Sequence, residues 1–344
     1  MSEAEPDALP RWRDAGFRAE ADGWVAAELA RAGRRQVGAV EAERLVPWSA
    51  VWRVPTDAGP VWFKANASGV AHEARLYEVL VRRTPAHVLD PVALDPDRGW
   101  LLLPDGGPTL RQVEGSRTDL AAWERMLREY AQMQRGLETH VDELRAAGVP
   151  DAGPDRLPAM RAALLADDRV LLLDAEDGLT EAQRTELLAE QPAYEALCRD
   201  LAAYDIPLSL QHDDLHDNNV FAGPDGALRV FDWGDAVVGH PFGVLLISLR
   251  VVADLLGVPE GSAAELFRLR DAYLEPWTDG WAAADLREAA HLAVRAGGVS
   301  RADCYRRAVI DWPGPGAAPH ADGVPGWLLE QRGPMPLDGP EPTG

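Results

Sequence analysis

The densest group of chemically active residues in the sequence is the stretch 211–219, QHDDLHDNN, which leads directly into an apolar strand pattern. A solvated charge run needs neither this mixture of His, Asp and Asn nor apolar neighbours that hold its ends in the core. The carboxylates and imidazoles could act as a general acid or base, and the amide and carboxylate oxygens could hold a hard cation. The composition of this stretch therefore points to catalysis or metal binding.

A second acidic segment, FDWGD at 231–235, ends the next strand pattern after the turn GPDG at 223–226. Two short strands joined by such a turn form a hairpin. The hairpin would bring Asn219 and Asp232 close together, with an amide oxygen beside a carboxylate. Oxygen ligands with room for water suit Mg²⁺ bound to nucleotide phosphates.

Far upstream, Lys64 ends the apolar run VWFK at 61–64, and Glu73 opens a helical pattern nine residues later. A cation at the end of a buried strand costs free energy unless it is paired. We predict an ion pair between Lys64 and Glu73. Without the downstream motifs, an exposed lysine and an ordinary surface glutamate would be the simpler interpretation.

The pattern H-x-D-L-x-x-x-N at 212–219, followed by D-W-x-D at 232–235, resembles the catalytic and metal-binding segments of aminoglycoside phosphotransferases and, more distantly, of protein kinases. The resemblance implies that Asp214 orients and deprotonates an acceptor hydroxyl, while His212 braces the loop. It also implies that Asn219 and Asp232 hold Mg²⁺ at the phosphates of ATP.

The resemblance covers residues 45–246 and reaches the first lobe. It implies that Lys64, paired with Glu73, contacts the α- and β-phosphates. Relatives often keep a serine in the turn between the first two strands, so Ser49 is expected to contact phosphate, although residues 44–54 contain no glycine of the protein-kinase type. The implied cofactors are ATP and Mg²⁺, and the implied partner is a small molecule with a hydroxyl acceptor.

The element pattern fits an α+β, bilobal, protein-kinase-like fold. Residues 1–104 are predicted to form an N-lobe with an N-terminal helix, a five-stranded antiparallel sheet and one further helix. Residues 105–312 are predicted to form a mostly helical C-lobe that carries the catalytic and metal loops. The tail 313–344 is rich in Pro and Gly, so we expect irregular structure or disorder there, pinned by Trp327 and Leu328.

Acidic residues outnumber basic ones 56 to 34, and the formal charge of −22 would repel nucleic acid and an anionic membrane surface. We expect neither as a partner. The sequence has no apolar run of membrane-spanning length, and its first residues lack the pattern of a signal peptide, so a cytoplasmic protein is expected. Cys198 and Cys304 have no CxxC partner and are expected to be buried thiols.

The segment GHPFGV at 239–244 departs from many relatives of the aminoglycoside phosphotransferases, which carry Asp-Pro and a further Asp here. His240 and Val244 replace those two carboxylates. The sequence therefore predicts a neutral or cationic hydroxylated small molecule as acceptor and argues against a polycationic aminoglycoside.

Two other functions remain open from the sequence. The first is a metal-dependent hydrolase whose ligands would be His212, His216, Asp213, Asp214 and Asp232. This alternative leaves the lysine and glutamate of the first lobe unexplained. The second is a catalytically inactive kinase fold that serves as a binding module, against which the intact set of polar site residues argues.

Overall fold

The computed structural model of the protein describes residues 9–115, 118–314 and 318–340. A five-stranded antiparallel sheet precedes a mostly helical region, which confirms the predicted α+β bilobal fold. The strands of the sheet are β1 (Glu41–Leu45), β2 (Ser49–Val54), β3 (Val61–Asn66), β4 (Ala93–Asp95) and β5 (Trp100–Pro104), in the spatial order β1-β2-β3-β5-β4. The long helices of this first lobe are α1 (Ala15–Arg31) and α2 (His72–Arg83).

Aromatic residues fill one face of this sheet. The Phe63 ring centroid lies 5.0 Å from that of Trp52 and 5.4 Å from that of Trp100, and Val25 of α1 belongs to the same core. Because side chains alternate along a strand, Lys64 must lie on the opposite face, where α2 packs. The strand pattern thus sets the side of the sheet on which the lysine acts.

The second lobe consists of helices and short strands. Its helices are α3 (Leu110–Glu114), α4 (Leu120–Leu137), α5 (Val141–Ala146), α6 (Leu157–Leu165), α7 (Glu181–Ala189), α8 (Gln191–Ala202), α9 (Leu245–Leu256), α10 (Ala264–Leu274), α11 (Ala283–Ala308) and α12 (Gly323–Glu330). Its strands are β6 (Asp151–Ala152), β7 (Ser209–Gln211), β8 (Val220–Ala222), β9 (Leu228–Val230) and β10 (Val237–Gly239). Strands β8 and β9 pair antiparallel, as the predicted hairpin requires.

A three-stranded sheet in the order β6-β10-β7 was not predicted from the sequence. Strand β10 pairs antiparallel with β7 and parallel with β6. Each strand has only two or three residues, which is too short to show a period of two. The sheet matters for the site because β7 ends where the 211–219 stretch begins, and β10 starts just after the 231–235 segment.

The 26-residue helix α11 runs through the core of the second lobe and reaches the first lobe at its C-terminal end. The guanidinium of Arg307 donates to the carbonyl oxygen of Gly69 at 3.3 Å, and the Asp311 carboxylate accepts from the backbone N–H of Ser68 at 2.7 Å. A Cβ at position 69 would lie 2.0 Å from the carbonyl oxygen of Arg307, so glycine permits this approach. The two lobes are therefore joined by α11 as well as by the chain after β5.

The expectation of an irregular tail is wrong for helix α12. Val324 and Leu328 of this helix are buried against α11, and Gly323 lies so close to the Tyr305 ring that a Cβ would meet it at 2.1 Å. Tertiary packing thus overrides the low helix propensity of Gly and Pro here. The division of the chain at residues 104 and 312 stays a prediction, and its first eight and last four residues lie outside the described ones.

No helix within the described ranges has both the length and the apolar character needed to cross a membrane.

Candidate active site

His212 is locked inside the loop that follows β7. It is fully buried, its Nε2 lies 2.9 Å from the carbonyl oxygen of Phe231, and its Nδ1 accepts a hydrogen bond from the backbone N–H of Asp214 at 3.3 Å. The ring also packs on Trp233, with centroids 4.8 Å apart. Both nitrogens are engaged within the protein, so His212 shapes the loop and is not free to bind a metal.

Asp214 is the carboxylate that the loop presents to the cleft. Its side chain is 31% exposed, and it lies 3.4 Å from the guanidinium of Arg301 and 3.6 Å from Nε2 of His216. Burial acts to raise the pKa of Asp214, but Arg301 and His216 outweigh it and hold that pKa well below its ordinary value. Asp214 is therefore ionised and able to accept a hydrogen bond from a hydroxyl.

The other two aspartates of the loop are engaged elsewhere. Asp213 is 2% exposed and accepts hydrogen bonds from Gln211 and Ser300, both at 2.5 Å. Desolvation raises its pKa, although Arg301 acts in the opposite sense. Asp217, also 2% exposed, is paired with Arg111 at 2.6 Å. Neither lines the central cavity, so Asp214 is the one loop carboxylate placed to meet an acceptor.

The hairpin of β8 and β9 brings Asn219 and Asp232 to the same end of the cleft, because the backbone N–H of Phe231 donates to the carbonyl oxygen of Asn219 at 3.1 Å. The Asn219 amide nitrogen donates to the backbone oxygen of Asp214 at 3.0 Å, and its amide oxygen takes no part in that bond. Asp232 adopts a left-handed backbone with φ of 63°, which turns its carboxylate out of the strand line.

The predicted ion pair of Lys64 and Glu73 is present, with Nζ and Oε2 2.6 Å apart. Lys64 also contacts Asp232 at 2.5 Å, which joins the first lobe to the 231–235 segment. Burial acts to lower the pKa of Lys64, but Asp232 and Glu73 outweigh it and raise that pKa above its ordinary value. The lysine is therefore a fixed positive charge in the cleft.

These groups share one cavity of about 330 Å³ between the lobes. Four of the residues singled out from the sequence line it together, namely Lys64, Asp214, Asn219 and Asp232. Glu73 and His212 lie behind them in the protein interior, where they hold Lys64 and the loop in place.

Ser49 is not among the residues that line this cavity. It is 3% exposed at the start of β2, and its carbonyl oxygen accepts from Val46 N at 2.9 Å to close the turn. The structure places Arg44, near the end of β1, and Trp48, in the turn before Ser49, on the cavity instead, with the guanidinium 5.6 Å from the ring centroid. The serine chosen from the sequence for a phosphate contact is thus buried outside the cavity that these two residues line.

His240 and Val244 do not reach the cavity either. His240 is 4% exposed, accepts from the backbone N–H of Phe242 at 3.3 Å and packs edge-on against that ring, while Val244 is 1% exposed. The inference that these two positions recognise the acceptor is therefore wrong. Both side chains, one neutral and one apolar, are part of the core of the second lobe.

Arg301 of α11 is a site residue that sequence reasoning missed. It lines the cavity, its side chain is 6% exposed, and it contacts both Asp214 and Asp235. No local pattern could have revealed it, because it lies 66 residues after Asp235 in a helix with no motif.

Fold and site together define a two-lobed kinase-like protein with an ion-paired lysine and a loop aspartate in one cleft. A family model described as "Phosphotransferase enzyme family" (APH) matches residues 41–292, and the chain belongs to this family. The match confirms the sequence-based resemblance and the class of enzyme, a phosphotransferase with an alcohol group as acceptor. A search of the curated proteins gives no match.

Solved structures with the same fold are distant in sequence. Macrolide 2′-phosphotransferase MphH from Brachybacterium faecium is 20% identical with a TM-score of 0.57, covering 89% of this chain and 97% of its own. An ethanolamine kinase from Plasmodium vivax is 11% identical with a TM-score of 0.59, covering 93% and 89%. Choline kinase LicA from Streptococcus pneumoniae is 12% identical with a TM-score of 0.56, covering 90% and 99%. At these identities the likeness establishes the fold.

Proposed function

We propose that this phosphotransferase uses ATP and Mg²⁺ and transfers the γ-phosphate to a hydroxyl group of a small molecule. The observation that carries the proposal is the single cavity shared by Lys64, Asp214, Asn219 and Asp232. A fixed cation, a carboxylate for the acceptor and two oxygen donors are the parts that phosphoryl transfer requires. These four residues lie in one cavity although 168 residues separate Lys64 from Asp232 in the sequence.

The donor set fits Mg²⁺. Asp232 supplies a carboxylate, Asn219 supplies an amide oxygen, and hard cations of this size prefer such ligands with water and phosphate completing the shell. When bound, Mg²⁺ supplies positive charge that offsets the charge on the transferred phosphoryl group. In this site, Asp232 and Asn219 would hold it at the β- and γ-phosphates.

The triphosphate side has a second cation beside Lys64. Arg44 is exposed at the cavity and, within the described part of the chain, has no carboxylate in ion-pair contact. The turn that follows β1 contains Pro47, which has no backbone N–H to offer to a phosphate. We assign Arg44 to the phosphates in the place that the sequence suggested for Ser49. A structure of LicA in complex with AMP, which has a similar fold, is consistent with a nucleotide in the cleft.

The residues of the site account for the transfer step. The acceptor hydroxyl donates its hydrogen bond to the Asp214 carboxylate, which aims the oxygen at the γ-phosphorus. The new O–P bond forms as the bond between the γ-phosphorus and the bridging oxygen of ADP breaks, and the hydroxyl proton passes to Asp214. Lys64 stays with the phosphates of the leaving ADP. Because Arg301 and His216 hold the pKa of Asp214 low, the carboxylate is ionised and has a free site for that proton.

The charges around the cavity restrict the acceptor. Its lining carboxylates, Asp214, Asp232 and Asp235, are all in ion pairs with Lys64 or Arg301. A polycationic aminoglycoside would find no unpaired carboxylate among the described lining residues. We therefore propose a neutral or singly charged hydroxylated acceptor. The names of the similar structures span macrolide, gentamicin, choline and ethanolamine and do not select among them.

A coupled ADP-release screen tests this proposal. The panel contains neutral sugars, nucleosides, macrolides, choline-like alcohols, hydroxy amino acids and aminoglycosides, each assayed with the parent chain and with Asp214→Asn as the matched blank. We expect ADP release that depends on acceptor and Mg²⁺ in the parent alone. Equal release by both chains, or thermal stabilisation by Mg·ATP with no turnover on any acceptor, would contradict transfer and favour an inactive binding module.

A further inference from the structure

We propose that Arg301 is a positioning residue for Asp214, so that the C-terminal part of helix α11 completes the active site. This inference rests on the proposed phosphoryl transfer and adds a residue to it. Arg301 lies nine residues beyond the segment that the family model matches, which ends at 292. The positioning role follows from the contacts of Arg301, from its burial and from the charges around it.

The Arg301 guanidinium is anchored independently of Asp214. One terminal nitrogen donates to the backbone oxygen of Asp213 at 2.8 Å and to the Asp235 carboxylate at 3.0 Å. The other terminal nitrogen faces Asp214 at 3.4 Å. Because the planar fork is held at one end, the position of the nitrogen that meets Asp214 is fixed before any substrate arrives.

The two oxygens of Asp214 are held from opposite sides. Arg301 lies at Oδ1, while the Asn219 amide nitrogen lies 3.3 Å and His216 Nε2 3.6 Å from Oδ2. Contacts at both oxygens fix the plane of the carboxylate as well as its place. An acceptor hydroxyl bound to a carboxylate fixed in this way is aligned for attack, and alignment is a major source of rate enhancement in this chemistry.

The surrounding charges give Arg301 a second effect. Asp214, Asp232 and Asp235 all line one cavity, where carboxylates repel one another. Lys64 offsets Asp232, and Arg301 offsets the other two. Without the guanidinium, Asp214 and Asp235 would lose their shared counter-charge, and Asp214 would be free to turn toward Lys64 or solvent.

A purely structural role would follow from other contacts of the same side chain. The guanidinium lies 5.5 Å from the ring centroid of Tyr305 and 5.7 Å from that of Trp327, and packing of this kind supports the fold. A structural role predicts lost stability with little change in turnover of the folded fraction. A positioning role predicts a loss of kcat at an almost unchanged KM for ATP.

The experiment compares Arg301→Gln, Arg301→Lys and Arg301→Ala in the full chain, with the best acceptor found in the screen. We expect Arg301→Gln to lower kcat by on the order of a hundredfold, while the KM for ATP stays within about threefold. Arg301→Lys keeps the positive charge but lacks the planar guanidinium with its two terminal nitrogens. Its kcat should therefore be about tenfold higher than that of Arg301→Gln. Added guanidinium ion at millimolar concentration should partly restore turnover to Arg301→Ala.

The matched control is Arg295→Gln on the same helix. Arg295 pairs with Asp338 of the tail at 2.6 Å and does not line the cavity, so the same charge change there should leave kcat within about twofold. Melting curves identify the folded variants. If Arg301→Gln does not fold, Arg301→Lys decides the question, since a folded lysine variant with parental kcat would overturn the inference.

The result also separates this inference from the proposed function. If Asp214→Asn loses turnover and folded Arg301 variants do not, the positioning role alone is wrong. If the parent transfers phosphate to no acceptor, or if Asp214→Asn is as active as the parent, the proposed function itself is wrong.

Discussion

The Glu73 carboxylate accepts a hydrogen bond from the backbone N–H of Trp233 at 2.9 Å, although 160 residues separate the two. Its second oxygen accepts from Lys64 at 2.6 Å and from the Asn66 amide at 2.8 Å. One carboxylate that is 2% exposed therefore connects α2, β3 and the segment that begins with Asp232. Lys64 and the 231–235 segment take their relative positions from this residue.

Because of these contacts of Glu73, Lys64 can be replaced without unfolding the chain. In Lys64→Ala, Glu73 keeps its bonds to the second lobe and to Asn66, so we expect a folded chain that has lost about 3 kcal/mol, the low end for a broken buried pair. The KM for ATP should rise at least about tenfold, because the phosphates lose their fixed cation. Steady-state kinetics and circular dichroism measure both effects. Arg75→Ala, an exposed change on α2, is the control, and a parental KM in Lys64→Ala would contradict the phosphate role.

Removal of the charge at Asp232 should abolish the response to Mg²⁺. We choose Asp232→Asn because asparagine tolerates the left-handed backbone found there. The thermal shift produced by Mg·ATP should fall to near that produced by ATP without metal. Asp225→Asn, in the exposed turn of the same hairpin, should respond like the parent. An unchanged Mg·ATP shift in Asp232→Asn would refute the proposed metal site.

Asp214→Asn should lower kcat by a hundredfold or more while leaving nucleotide affinity nearly unchanged, because the carboxylate acts on the acceptor and not on ATP. Rapid-mix kinetics and ATP titration measure the two quantities. Asp217→Asn is the comparison within the loop, since its pairing with Arg111 predicts a loss of stability with turnover retained. Turnover lost in Asp217→Asn and kept in Asp214→Asn would reverse the assignment.

The parts of the site that the sequence predicted are those with local spacing. The stretches 211–219 and 231–235 flank a hairpin whose turn is visible in the sequence, and this hairpin places Asn219 near Asp232. The pairing of Lys64 with Glu73 followed from the cost of an unpaired cation at a buried strand end. The fold class followed from the order of strand and helix patterns.

The parts that the sequence did not predict depend on tertiary packing. Arg301 comes from a helix without a motif, and the strands that flank the loops are too short to show a period. Ser49 was chosen next to the turn between β1 and β2, but which side chain near that turn reaches the cavity depends on the sheet twist and the lobe orientation. His240 was assigned to the acceptor site because its burial cannot be inferred from a single residue.

The positions of Arg44 and Ser49 relative to the cavity can be tested by comparing one variant of each. Arg44→Gln should raise the KM for ATP by about threefold to tenfold, since an exposed cation contributes modestly to phosphate binding at physiological salt. Ser49→Ala, which changes a buried hydroxyl outside the cavity, should leave that KM unchanged. The difference should shrink at high ionic strength. A larger effect from Ser49→Ala than from Arg44→Gln would restore the sequence-based assignment.

The burial of His240 predicts acid sensitivity of the fold. Desolvation lowers the pKa of His240 to about 3, and desolvation together with Arg307 does the same for His72. Below a pH of about 6.5 the unfolded chain takes up protons that the folded chain cannot, so the free energy of unfolding falls as pH drops from 6.5 toward 3. Each histidine contributes up to about 1.4 kcal/mol for every pH unit in that window.

His240→Asn removes one of these groups and keeps a side chain that can accept from the backbone N–H of Phe242. Urea unfolding is measured at pH 7.0, 5.5 and 4.5, values inside and above the titration window. The free energy of unfolding should fall less steeply with acid in the variant, and its slope against pH should differ from that of the parent by about one bound proton. Because His240 lies in the core and away from the cavity, the acceptor profile at pH 7 should match that of the parent. Parallel stability curves would contradict the buried, neutral histidine, and an altered acceptor profile would return His240 to the substrate site.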